Sequence, residues 1–466
     1  MMWASLWLSC AVSMCYIYWH YARARTAARY FYHRARKLKA EIQCFLEPVV
    51  VPAATRQSIP LLLDMQLEPT AHSERSDEEC DDSPEATSNE PLVLDDETDP
   101  TDATFINPSN FCFLNAIMHC LFRAPRCREL LTKAIKRRSG SNPASDAKVD
   151  CVQLLLGVAN DMKNGKDECL DLISMGLPRL LRASSAVWIT RPHQEQQDAE
   201  ECLTFLLNLI HDVVHEPRPP RSPRSKHACA ANRARLLRLI SESDGMDVEQ
   251  YRQPLESLSA LVYDEHLRDN ASFIAREYTG QTVQGAKCHA CGRFSVLHQQ
   301  ITIVSLGLHS RDLAMSVESC LDRFKQLEHM CDSNQVFCAG VCRTKTAHSI
   351  QTFFTHLPPV LVFQLKRFTF DGARVTKNVA PVYFPAQLLN MAPYVFASAA
   401  PSSTYFLYAV CAHIGGSLSR GHYVAYTRRS PTTWLKYDDD VLSILDEPRM
   451  RHETMTTAYL LFYART

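Results

Sequence analysis

A cysteine that opens a helix, a histidine that enters a strand and a carboxylate that ends one can together activate a thiol, and this chain carries all three. Cys112 lies in Asn107-Pro108-Ser109-Asn110-Phe111-Cys112-Phe113-Leu114-Asn115. There a run of turn-forming residues gives way to a helical pattern with Phe113, Ile117, Cys120 and Leu121 on one face. Unsatisfied N–H groups and the positive end of a helix dipole stabilise a thiolate at such a position. Taken alone, one of 18 cysteines reads as a small buried hydrophobe. His422, in Gly421-His422-Tyr423, and Asp438, in Trp434-Leu435-Lys436-Tyr437-Asp438-Asp439-Asp440, change that reading. The histidine can take the thiol proton, and the carboxylate can fix the imidazole tautomer and stabilise the imidazolium. Asn107 precedes the cysteine by one loop and offers an amide donor to a tetrahedral oxyanion, a contact typically contributing roughly 3 to 4 kcal/mol.

A second set of residues has metal-ligand spacing. Cys288-x-x-Cys291 and Cys338-x-x-x-Cys342 form two knuckle-like pairs, and four thiolates converging tetrahedrally satisfy Zn²⁺. Four sulfurs leave no position for water, so such an ion would brace a β-rich projection. A site that has lost its metal is the competing reading, because the second pair carries an extra residue and Cys331 lies nearby.

The elements that must position these groups are α+β. Helical patterns come first, in the Cys112 segment, in Cys151 to Met162 and in the run after Asp198, where Cys202, Phe205, Leu206, Leu209 and Ile210 repeat at helical spacing. Beyond Tyr278 the period becomes that of strands, in Phe294 to Leu306, Pro359 to Phe370, Tyr405 to His413, His422 to Thr427 and Ala458 to Tyr463, which predicts a largely antiparallel sheet. Between these halves, residues 216–250 are rich in Pro and Arg. They read as a solvated insertion with a short helix near Arg235 to Ile240, a basic docking patch being the alternative.

The 466 residues, 46% of them hydrophobic, suffice for a sizeable core plus appendages. A net charge of -1 gives no reason to expect nucleic acid as a partner. Scattered cysteines in a long chain favour a reducing compartment. Residues 1–19 lack charged side chains, and a helix of that length reaches about 28 Å, close to a bilayer core. Arg23, Arg25, Arg29, Arg34, Arg36, Lys37 and Lys39 follow directly, so residues 1–45 read as a single-pass membrane anchor with the rest of the chain in the cytosol. An interfacial amphipathic helix and a cleaved signal are the alternatives. Residues 46–103 are acidic and without apolar period, as expected of a disordered linker.

Four ordered blocks carry a family resemblance: Asn107 to Asn115, Gln196-Gln197-Asp198-Ala199-Glu200-Glu201, Leu357 through Phe368, and Tyr405 through Gly421-His422-Tyr423 to Tyr459-Leu460. Over residues 104–466 the chain resembles the ubiquitin-specific proteases, deubiquitinating enzymes with a papain-like fold shaped as a hand. The resemblance implies a thumb over about 104–214, zinc-bearing fingers over about 278–350 and a palm over about 351–466. It implies Cys112 as nucleophile, His422 as general base, Asp438 as third member, Asn107 as oxyanion donor and Asp439 as an auxiliary group. It implies Gln197, Asp198, His413 and Tyr423 beside the ubiquitin tail, zinc on Cys288, Cys291, Cys338 and Cys342, and ubiquitin and ubiquitinated proteins as partners. A catalytically weak ubiquitin-binding scaffold and a protease for a ubiquitin-like modifier are the other readings. The anchor and its basic flank resemble the mitochondrial outer-membrane member of the family, with the endoplasmic reticulum as the alternative location.

Overall fold

Strand alternation in the C-terminal half decides the architecture. Tyr423 and Ala425 belong to one apolar cluster and Val424 and Tyr426 to another, so the sheet that holds them is buried on both faces. The structure, a computed structural model, describes residues 103–466 apart from 109, 139–145, 164–168, 184–195, 217–220, 243–247, 309–314, 372–373, 397–402 and 418–419. The expected anchor and all but the last residue of the expected linker lie outside the described residues. Among the described residues no helix is long and apolar enough to cross a membrane.

The helices that matter to the site are α1 (Cys112–Phe122), α2 (Cys127–Arg138), α3 (Ala147–Lys163), α4 (Ala199–Val214), α5 (Pro223–Glu242) and α6 (Val248–Asp269). Every residue of α1 is buried, because it runs between the other helices and the main sheet. The strands are β1 (Gly280–Cys288), β2 (Phe294–Ile301), β3 (Ile303–Gly307), β4 (Glu328–Met330), β5 (His348–His356), β6 (Val360–Lys366), β7 (Phe368–Asp371), β8 (Arg374–Lys377), β9 (Thr404–Ser417), β10 (Arg420–Arg428), β11 (Thr433–Asp438), β12 (Val441–Asp446) and β13 (Ala458–Arg465). The main sheet runs β12-β11-β10-β9-β13-β6-β3, with Leu389–Asn390 added beside β9. Its pairs are antiparallel except β6 with β3. A separate sheet, β2-β1-β5-β4, carries the first cysteine pair at the end of β1.

The segment after Val214 differs in part from the sequence-based expectation. The segment is largely exposed, as expected, but in place of one short helix near Arg235 to Ile240 it forms the long helix α5, and α6 begins at its end. Leu236 and Ile240 of α5 pack with Tyr251, Leu255 and Leu258 of α6 and with Val283 and Phe294 of the smaller sheet. These few apolar residues fall one helical turn apart, and burying them supplies the tertiary packing that an Arg-rich helix cannot get from its own polar surface.

A buried arginine ties the sheet together behind the site. Arg367, fully buried after β6, donates from Nε to Ala458 O (2.6 Å), from one terminal nitrogen to Asn378 O and Ala380 O (both 3.0 Å), and from the other to Met455 O (2.8 Å). Burial lowers its guanidinium to about 10. Four carbonyls replace the water it gives up and pin the start of β13 to the chain that leaves β8.

Candidate active site

The position of Cys112 is set by α1, whose first residue it is. Phe111 precedes the helix without a side-chain cap, and its N–H is taken by Asn107 Oδ1 at 3.0 Å. The loop therefore closes on the helix start and brings Asn107 beside Cys112. Tyr437 of β11 stacks on the buried His119 of α1, with ring centroids 3.7 Å apart, which holds the end of β11 against the same helix.

β10 brings His422 into this corner. Its Nε2 lies 2.6 Å from Asp438 Oδ1 and 3.8 Å from Asp439 Oδ2. Hydrogen bonding to the Cys112 side chain raises the imidazole most, burial opposes this, and Asp438 adds to the rise, leaving His422 pushed up from 6.5 to about 9. Cys112, His422 and Asp438 thus converge from the start of a helix, a strand and the last residue of the next strand. The arrangement can hold a protonated imidazole between a sulfur and a carboxylate.

Asn107 and Asp439 are also together. Asn107 Nδ2 donates to Asp439 Oδ2 at 2.9 Å, while Asn115 Nδ2 donates to Asp439 Oδ1 at 2.9 Å. Asp439 is an acceptor that orients the Asn107 amide from behind, and Asn115 is a member of the site that sequence reading did not single out.

The four residues expected beside a channel sit differently from one another. Gln197 is half-buried before α4. Asp198 caps α4, accepting from Glu200 N, and receives the Tyr459 hydroxyl at 2.9 and 2.8 Å on its two oxygens. Burial raises its carboxyl. His413 and Tyr423 do not border an open channel; they are 0% and 1% exposed. Their rings meet at 4.8 Å, and Gly421 covers His413 so closely that a Cβ there would lie 2.2 Å from its Nε2. Lys377 Nζ holds His413 at Nδ1 (3.1 Å) and also donates to Gly415 O (2.8 Å). Burial, with Lys377 and His422 adding to it, pushes His413 down to about 4, so the ring is neutral. These two residues form the floor beneath His422.

Gln196 is a residue whose role the sequence did not disclose. Its Nε2 donates to Cys112 Sγ at 3.4 Å, and its Oε1 accepts from Gly421 N at 2.8 Å. Its partners are far away in the chain, so no local spacing could have found them.

The four knuckle cysteines converge away from this site. All four sulfurs lie within 4.8 Å of one another, with Cys288 to Cys342 at 3.9 Å and Cys291 to Cys338 at 3.8 Å. Tetrahedral Zn²⁺ with Zn–S of about 2.3 Å requires sulfurs about 3.8 Å apart, so the donor set fits a closed metal site. Cys331 is exposed and is not one of the group.

Residues 103–463 match the family described as Ubiquitin carboxyl-terminal hydrolase. The chain belongs to this family. Among curated members it is 26% identical over 361 residues to ubiquitin carboxyl-terminal hydrolase 21 of Bos taurus, covering 77% of this chain and 60% of that protein. It is 37% identical over 147 residues to ubiquitin carboxyl-terminal hydrolase 21 of Arabidopsis thaliana, covering 31% of this chain and 19% of that protein. The chain thus spans about 60% of the length of the first of these relatives. Among solved structures it resembles a chain of the SAGA Ubp8/Sgf11/Sus1/Sgf73 DUB module bound to ubiquitin aldehyde, with a TM-score of 0.55 and 20% identity over 79% of this chain and 70% of that one. That likeness supports the papain-like α+β fold of ubiquitin carboxyl-terminal hydrolases.

Proposed function

We propose that this chain is a deubiquitinating cysteine protease that hydrolyses the peptide or isopeptide bond after the C-terminal glycine of ubiquitin, through a thioester on Cys112. The observation that carries this reading is His422, bound to Asp438 at 2.6 Å and raised by its contact with Cys112. The Cys112 thiolate adds to the carbonyl carbon, and the resulting oxyanion meets the Asn107 amide, which Asp439 holds in place. Collapse breaks the C–N bond while the His422 imidazolium gives its proton to the leaving amine. Water then loses a proton to neutral His422 and adds to the thioester, and the C–S bond breaks to return thiolate and imidazolium. Asp438 keeps the imidazole oriented throughout. The extended ubiquitin tail passes Gln197 and Asp198 at the start of α4, over the floor made by His413 and Tyr423.

Zinc is the ion proposed for Cys288, Cys291, Cys338 and Cys342, where it braces the end of the smaller sheet. Residues 1–45 are proposed, from their sequence, to tether the enzyme to the mitochondrial outer membrane with the catalytic part facing the cytosol. A reporter fused to those residues tests this; a signal at the endoplasmic reticulum favours the other membrane, and a diffuse one overturns the tether.

Ubiquitin bearing a C-terminal electrophile tests the reaction. A covalent adduct on Cys112 is expected, and Cys112→Ala should abolish cleavage while leaving ubiquitin binding largely intact. Binding without an adduct under reducing conditions would identify a scaffold instead, and preferential labelling by a ubiquitin-like modifier would reassign the substrate.

A further inference from the structure

We propose that Gln196 is a positioning residue that locks the nucleophile to the strand carrying the general base. The orientation of its amide follows from its partners. Gly421 N can only donate, so Oε1 must face it at 2.8 Å, and the NH2 end is thereby turned to Cys112 Sγ at 3.4 Å. One planar group therefore spans from the first residue of α1 to the residue next to His422. An N–H aimed at the sulfur favours the thiolate over the thiol, because a hydrogen bond to the charged form strengthens as the charge develops.

The far end of the bridge is itself fixed. Gly421 rests on the buried His413 ring, and Lys377 Nζ holds that ring at Nδ1 (3.1 Å) while donating to His413 O (2.6 Å) and Gly415 O (2.8 Å). Gly421 N cannot shift without disturbing this set, so Gln196 reads the position of β10 and transmits it to Cys112. Losing the bridge would free two motions at once: the sulfur would lose its donor, and the strand that presents His422 would lose its tie to α1. This differs from the part proposed for Gln197 and Asp198, which follow it along the same segment, Asp198 capping α4 and receiving the Tyr459 hydroxyl.

The inference rests on Cys112 being the nucleophile, and the test separates the two claims. Full-length wild type, Gln196→Ala, Gln196→Glu and Gln196→Asn are compared in two assays: hydrolysis of a fluorogenic ubiquitin C-terminal amide, and alkylation of Cys112 by iodoacetamide at neutral pH, read by mass spectrometry. Gln196→Ala should lower kcat by about 10- to 100-fold, the range expected for a hydrogen bond to a charged group, with KM changed less than about threefold. Alkylation of Cys112 should slow in parallel. Gln196→Glu should slow it further, since a carboxylate beside the sulfur opposes thiolate formation while retaining an acceptor for Gly421 N. Gln196→Asn, one methylene short, should not restore either rate. A rise in KM alone would overturn the proposal and make Gln196 a substrate contact. Unchanged alkylation in Gln196→Ala and Gln196→Glu would also overturn it. If wild type alkylates at Cys112 but hydrolyses no ubiquitin amide, the proposed function fails, and the alkylation series still decides the role of Gln196. Melting curves for each variant identify any that lose their fold, and Gln196→Glu, nearly isosteric with the native residue, then carries the test.

Discussion

Asp439 and Asn107, 332 residues apart in the chain, meet through a 2.9 Å hydrogen bond from the asparagine amide to the carboxylate. The other carboxylate oxygen takes Asn115 of α1, also at 2.9 Å, so one side chain fastens the loop before Cys112 and the helix that Cys112 opens to the end of β11. Asp439 has φ +54°, a left-handed conformation that Asp accepts more readily than most residues and that turns its side chain back toward α1.

The first prediction concerns this clamp. Asp439→Ala should release both asparagine amides and lower kcat by about 10- to 100-fold with little change in KM, because the group lost orients an oxyanion donor and binds no substrate. Asp439→Asn should be nearly as poor, since its amide end would face one of the two donors that the carboxylate accepts. Steady-state kinetics on a ubiquitin amide measure both.

The protonation of His422 gives a second prediction. Its folded-state value is raised from 6.5 to about 9, so the stabilisation of the charged ring is fully present below about 6.5 and is lost as pH rises through about 9. Turnover should therefore hold through neutral pH and fall on the alkaline side near 9, as the proton meant for the leaving amine disappears. Asp438→Asn removes one of the contacts that raise the ring. The alkaline limb should move to lower pH and kcat should fall by about 100-fold or more, the scale of general acid–base assistance. A pH–kcat profile of the two proteins reads this directly.

Much of this corner was legible in the sequence, and for identifiable reasons. Cys112 stands where a turn-rich loop meets a helical apolar period, and His422 and Asp438 stand at the borders of strands whose alternation is plain. α5 was hidden because only Leu236 and Ile240 of its arginine-rich surface are deeply buried, too few to show a period. Gln196 and Asn115 were hidden for a different reason. Their partners lie 225 and 324 residues away, at Gly421 and Asp439, and no local pattern encodes a long-range hydrogen bond. His413 and Tyr423 were placed in the right neighbourhood but on the wrong side of the surface, because a strand sequence shows that its faces alternate and not how closely the neighbouring backbone covers each one.

The metal site yields a third prediction. Purified protein should contain one zinc per chain, and chelation or Cys291→Ser should lower the melting temperature by several degrees, since the ion joins the end of β1 to the chain before β5. Because the four sulfurs lie outside the catalytic corner, KM for ubiquitin substrates should rise more than kcat falls. Metal analysis without stoichiometric zinc would remove the assignment.

Gly421→Ala carries the fourth prediction, and it tests whether the floor beneath His422 is rigid. A Cβ at this position would lie 2.2 Å from His413 Nε2, 2.4 Å from its Cε1 and 2.7 Å from Ile414 O. Backbone and a buried ring cannot yield by the ångström or more required, particularly with Lys377 fastening His413 and the Phe368 ring packed edge-on against it at 5.2 Å. The strain should fall on β10, displacing His422 from Asp438 and Gly421 N from Gln196. Overpacking of this kind costs about 1–3 kcal/mol of stability, while kcat should drop at least about tenfold because the displaced group is the base. His413→Ala in the same chain removes the ring that causes the worst contact. If the ring is the obstacle, the double variant should recover part of the activity lost by Gly421→Ala alone, a coupling that a thermodynamic cycle measures. Equal losses in the single and double variants would place the obstacle at Ile414 O instead and make the backbone of β9 the rigid part of the floor.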